Sequence, residues 1–139
     1  MYDHILVATD GSDHAVTAAE HAVDVAARYD ATLHALYIIE TRTAYDNAML
    51  NPEEVRENLT EIGDEALAAV QQLAARQNLK INSTIEEGIP PERILTYIDQ
   101  NEIDFVFMGQ RGRSAFKTVL LGSTAEGVLF EVDVPVALV

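Results

Sequence analysis

Three glycines and three cations crowd one short segment of the chain. In MGQRGRSAFKTVLLGST, residues 108–124, Gly109, Gly112 and Gly122 are interleaved with Arg111, Arg113 and Lys117, and the last glycine leads into Ser123 and Thr124. The whole chain has seven glycines and nine Lys and Arg residues, so this concentration is local. Backbone N–H groups beside glycine approach an anion closely, because no Cβ intervenes and φ can turn positive. Hydroxyls and amides at the start of a helix add donors that the helix dipole reinforces. The chemistry such a set suits is the wrapping of a phosphate chain. A glycine pair alone is better explained by a chain turn, and a lone serine by helix capping. Spacing, hydroxyls and cations taken together favour the phosphate. The segment is not a Walker A loop, since no Gly-Lys-Ser/Thr follows the glycines, and it lacks the G-x-G-x-x-G of a dinucleotide fingerprint.

The surrounding charge has the opposite sign. With 23 acidic against 9 basic residues the formal charge is −14, a field that repels the nucleic-acid backbone and anionic lipid. Neither nucleic acid nor membrane is expected as a partner. Lysine occurs only at positions 80 and 117, which together with the charge points to an acidic, halophile-like surface. The absence of cysteine excludes disulfides, thiolate metal sites and cysteine nucleophiles. No apolar run approaches the roughly 20 residues of a spanning helix, and MYDHILVATDG has no basic leader, so a soluble cytoplasmic protein is expected.

Other residues with reactive side chains give weaker signals. Asp10, in ATDGS, could bond a ribose hydroxyl, assist Mg²⁺ or accept a phosphoryl group, or it could simply cap its own turn. His4, His14, His21 and His34 are scattered, and His14 and His21, seven positions apart, are too far apart for the i, i+4 pair of a zinc helix. Surface or boundary roles are expected for them, with no metal site. No serine has a nucleophile context and no base is tied to the glycine segment, so no catalytic residue is assigned. Hydrolysis, if it occurs, should be slow.

These residues need a frame that brings distant segments together. HILVAT (4–9) is a continuous apolar run that suits a strand buried on both faces, and SDHAVTAAEHAVDVAARYD follows with apolar positions at helical spacing, capped by Ser12 or Asp13. TLHALYII (32–39) is again strand-like, and residues 40–50 read as a polar loop. Asn51, Pro52 and Glu54 open a long helix. KINSTIEEG reads as a half-covered edge strand, PPERILTYIDQN as a helix, IDFVFMG as a strand, STAEGVLFEV as a helix and VPVALV as a last strand. Alternating strand and helix predicts one α/β domain over residues 1–139, an open parallel sheet of five strands with helices on both faces. Ligands of such Rossmann-like sheets sit at the carboxyl ends of the strands where the order reverses. In the order 3-2-1-4-5, ATDGS after the first strand and MGQRG after the fourth would meet there.

Gly109-x-x-Gly112, nine residues, then Gly122-Ser123 resembles the G-2x-G-9x-G-[S/T] signature of the ATP-binding branch of the universal stress protein family. ILVATDGSDHA looks like that family's opening strand and turn, and VPVALV like its closing strand. The resemblance implies the adenine nucleotide alpha hydrolase-like sheet of order 3-2-1-4-5, with ATP, in some cases with Mg²⁺, in the crevice. It also implies a homodimer through the last strand, Val134 to Val139. Carried over by position, Ala8, Thr9 and Asp10 would border adenine and ribose, with Ile38 offering backbone contacts to adenine. Met108, Gly109, Arg111 and Gly112 would line the first phosphate turn, and Gly122, Ser123, Thr124 and Ala125 would hold the phosphates. Ala125 lacks the hydroxyl that some relatives have there. The function so implied is a dimeric, nucleotide-dependent stress-response module. Alternatives are a slow Mg²⁺-dependent ATPase or phosphotransferase, or a partner-binding dimer indifferent to nucleotide.

Overall fold

Ile5, Leu6 and Val7, the centre of β1 (His4–Ala8), have no solvent exposure, so both faces of this strand are covered. Because side chains alternate along a strand, the apolar run feeds two cores. Ile5 and Val7 join one cluster and Leu6 the other. The split continues in β2 (Thr32–Glu40), with Leu33, Ala35 and Ile39 on the first side and Leu36 on the second. In β4 (Phe105–Met108), Phe107 faces the first cluster, and Val106 and Met108 the second. A computed structural model of the chain describes residues 1–40, 51–112 and 121–139.

Each neighbouring strand pair is parallel, and the order is β3-β2-β1-β4-β5, with β3 (Ile81–Gly88) and β5 (Val136–Leu138) at the edges. The arrangement expected from alternating strand and helix is therefore the one found. It resembles an open doubly wound sheet whose order reverses between β1 and β4. β5 spans only part of the 134–139 segment expected as strand.

Among the described residues, two helices cover each face. α1 (Asp13–Tyr29) and α2 (Pro52–Arg76) pack on the Ile5–Val7 side, α3 (Pro90–Gln100) and α4 (Ser123–Glu131) on the Leu6 side. The buried stripe of α1 is Ala15, Ala18, Ala19, Ala22, Val23 and Ala26, small side chains that let the helix axis approach the sheet closely. Ser12 caps α1 by accepting from the Ala15 N–H at 3.2 Å, and Asp30 ends it in a left-handed conformation at φ 53°. Asn51 Oδ1 accepts from the Glu53 N–H at 3.0 Å ahead of Pro52, which explains why α2 starts there.

The expectation that the histidines occupy surface or boundary positions fails at His34, the third residue of β2, which is 3% exposed. Its Nε2 lies 3.1 Å from His4 Nδ1 and its Nδ1 lies 2.8 Å from the Tyr97 hydroxyl on α3, so both ring nitrogens are partnered. Burial, and then the charge of neighbouring His4, lower the His34 pKa below 6.5. The folded protein then binds fewer protons at this site than the unfolded chain at pH values just below 6.5. His34 should therefore withdraw stability as pH falls from 6.5 toward its folded pKa, by at most about 1.4 kcal/mol per pH unit. Urea unfolding of wild type and His34→Gln between pH 7.5 and 5.5 checks this. A shallower pH dependence is expected in the variant, and parallel curves would show that His34 is not the titrating group.

Candidate functional site

The site begins where β1 and β4 end side by side, Ala8 being in register with Met108. Past Ala8 the chain stays on the sheet for one more residue, the Thr9 N–H donating to the Leu36 carbonyl at 2.9 Å. Thr9 Oγ1 then accepts from Gly11 N–H at 3.1 Å, and Asp10 Oδ1 from Ser12 N–H at 2.9 Å. Gly11 takes φ 79°, the left-handed conformation this reversal requires. Two side chains bonding to their own backbone thus lock ATDGS into a tight turn that delivers the chain to α1.

The second turn, Gly109 to Gly112, is fitted against the first. A Cβ on Gly109 would lie 2.8 Å from His14 Cβ and 3.1 Å from the His14 carbonyl carbon. One on Gly112 would lie 2.7 Å from Asp10 Oδ2. Gly122 is pressed against the same turn, its Cβ position 3.2 Å from Arg111 Cα and 3.3 Å from both Gln110 O and Gly112 N. Positive φ was the other reason offered for these glycines. Among the described residues, however, the glycines with positive φ are Gly11 and Gly88, so at 109, 112 and 122 the missing Cβ provides space. Gln110 suspends the turn between two elements. Its N–H donates to the Val139 carbonyl beyond β5 at 2.9 Å, and its carbonyl accepts from the Gly122 N–H at 2.6 Å.

Gly122 is also the N-cap of α4, and among the described residues no side chain caps that helix. The first-turn amides of Ser123, Thr124 and Ala125 therefore face the crevice at the positive end of the helix dipole. All twelve residues singled out from the sequence border one cavity of about 730 Å³, a size ordinary for small-molecule sites. Ala8, Thr9 and Asp10 border it after β1, Met108, Gly109, Arg111 and Gly112 at and after the end of β4, Gly122 to Ala125 at the start of α4, and Ile38 on β2. Arg111 brings a cation to the cavity, with its Nη2 3.3 Å from His14 Nε2. Arg113, Lys117 and the 40–50 loop, apart from Glu40, lie outside the described residues.

The opposite end is apolar and was not anticipated. Leu59 and Ile62 of α2 and Ile89, Pro90, Pro91 and Ile94 at the start of α3 line it. An apolar slot thus continues into a donor-rich end, a shape that suits a flat apolar ring carrying an anionic tail. Ser12 and Glu40 also reach the cavity. The available signal was position: Ile-Pro-Pro directly follows β3, so it too must sit at the carboxyl end of the sheet.

A profile of the universal stress protein family matches residues 1–139. The chain belongs to that family. The universal stress protein MJ0531 of Methanocaldococcus jannaschii is 34% identical over 140 aligned positions, covering 100% of this chain and 82% of that protein. Among solved structures, the universal stress protein UspA from Lactobacillus plantarum superposes with a TM-score of 0.87 at 30% identity over 99% of this chain and 97% of its own. The hypothetical protein MJ0577 gives a TM-score of 0.88 at 27% identity, with 100% and 96% covered. More distant family members share the fold, among them one in complex with cAMP (TM-score 0.76, 21% identity, 99% and 97% covered) and one from Archaeoglobus fulgidus in complex with dAMP (0.69, 18%, 99% and 97%).

The glycine contacts generate a direct expectation. Gly109→Ala forces apart the β4 turn and the first turn of α1, because the obstacle includes backbone and the base of a side chain. A loss of about 1–3 kcal/mol, typical of overpacking, is expected in urea unfolding. An unchanged midpoint would mean the two turns are not in firm contact.

Proposed function

We propose that the universal stress protein fold here serves as an ATP-binding, dimeric regulatory module, with the nucleotide in the crevice at the ends of β1 and β4. The observation that carries this reading is the junction of the two glycine-fitted turns with the uncapped start of α4, next to an apolar slot. Adenine fits the slot between Ile38 and the start of α3. Asp10 stands beside the ribose, and the phosphates meet the amides of Gly112, Ser123 and Thr124 with Arg111 alongside. That relatives have been solved in complex with cAMP and dAMP supports an adenine nucleotide as the ligand class.

Mg²⁺ suits this donor set. It prefers oxygen, keeps several waters, and is commonly held through one or two carboxylates together with substrate phosphates. Asp10 is the carboxylate nearest Gly112, and the ion would neutralise phosphate charge there. Asp10 Oδ1 is engaged by the Ser12 N–H, which favours a turn-forming and ligand-orienting role over that of phosphoryl acceptor. A slow ATPase is the second reading, tested by phosphate release above an Asp10→Asn control.

The same geometry suggests how occupancy reaches a partner. Gln110 joins the phosphate turn to Val139, adjoining the edge strand. Inward bonds at Pro135 O and Val139 N leave the N–H groups of Val136 and Leu138 directed to the open edge. A second copy adding to this edge would satisfy them and give a twofold dimer. Phe130, 88% exposed on neighbouring α4, would extend the contact.

Calorimetric titration with ATP and Mg²⁺ in concentrated potassium chloride, which screens the acidic surface, tests the binding. One ATP per chain is expected for wild type. Gly122→Val should keep the far-ultraviolet dichroism and lose at least about tenfold in affinity, or about 1.4 kcal/mol. Unchanged affinity in that variant, or no heat from folded wild type freed of nucleotide, would refute the assignment. Sedimentation should show two chains per particle, and a monomer at all concentrations would remove the edge-strand dimer.

A further inference from the structure

We propose that His14 is a positioning residue for phosphate binding, holding the Arg111 guanidinium at the cavity wall through its ring nitrogen Nε2. The proposal rests on the nucleotide-binding reading above and adds to it a residue that does not itself line the cavity. The two atoms are 3.3 Å apart. A guanidinium only donates, so Nε2 must accept and the imidazole proton sits on Nδ1.

Three features make this more than a surface contact. First, His14 is fixed before any ligand arrives. It lies in the first turn of α1, and Gly109 is packed so closely that a Cβ there would come within 2.8 Å of His14 Cβ. Second, the contact joins two separate elements: His14 stands on α1 and Arg111 in the turn after β4, 97 residues further along the chain. Third, a long side chain loses rotamer freedom when it clamps a ligand, and a partner that orients it beforehand removes part of that cost from the binding step.

The test measures affinities for ATP and for adenosine, in the presence of Mg²⁺, in wild type, His14→Leu, His14→Gln, Arg111→Met and the double variant His14→Leu with Arg111→Met. His14→Leu should weaken ATP by about fivefold to tenfold, within the usual range of side-chain coupling, and adenosine by less than about twofold. His14→Gln, whose amide oxygen can replace the Nε2 acceptor, should recover most of the ATP affinity. In the Arg111→Met background the leucine substitution should cost nothing further. Equal losses for ATP and adenosine, or a full additional loss without Arg111, would overturn the positioning role while leaving nucleotide binding in place. Failure of wild type to bind either ligand would overturn both readings together. Near-ultraviolet dichroism of each variant separates misfolding from lost affinity, and a properly folded His14→Gln that behaves like His14→Leu would also count against the proposal.

Discussion

Everything in this molecule that resembles a site depends on the close approach of two backbone turns, one leaving β1 and one leaving β4. The strands are parallel neighbours, so their chains emerge at the same end of the sheet and must turn away in a confined space. Side chains at positions 109 and 112 would hold the turns apart, since their Cβ atoms would collide with His14 and with the Asp10 carboxylate. With glycine at both, backbone amides, a carboxylate and a guanidinium come within reach of one small volume. The third glycine, at 122, lets the start of α4 join them.

The rest of the fold keeps those turns where they are. β1 is covered on both faces, and each large apolar side chain buried there is worth about 1.5–3 kcal/mol relative to exposure. The alanine stripe of α1 brings that helix down onto the sheet, and this is what presses His14 against Gly109. On the other side, Ala125 and Val128 anchor α4, so its first turn points into the crevice with its amides uncapped. Backbone bonds through Gln110 tie the turn to Val139, next to the edge of the sheet. A stable core thus supports a rim of polar backbone, and the donor groups of the crevice lie in that rim.

The parts of this arrangement legible in the sequence are those written in local pattern. Continuous apolar runs and helical spacing identified strands and helices, and alternation then dictated a parallel sheet. The glycine spacing and the two hydroxyls marked the donor-rich end of the crevice, because few other structural needs place those residue types together. What stayed hidden depends on tertiary meeting. Leu59 and Ile94 look like ordinary helix core positions, and nothing local says that they reach the crevice. His34 reads as a polar interruption of a strand, since its partners His4 and Tyr97 are 30 and 63 residues away. A glycine can answer a need for space or for positive φ, and only the backbone distinguishes them. His14, seen alone, carries no hint of Arg111, which lies 97 residues further on.

The central claim is that one ligand contacts both turns and the start of α4 at once. Amide shift mapping by heteronuclear NMR, adding ATP with Mg²⁺ to nitrogen-labelled protein, tests this most directly. The account predicts that Gly11, Gly109, Gly112, Ser123 and Thr124 shift together along a single binding curve, while amides at the far end of the sheet, such as His4 and Thr32, stay in place. Shifts confined to one turn, or a change centred elsewhere on the surface, would contradict it.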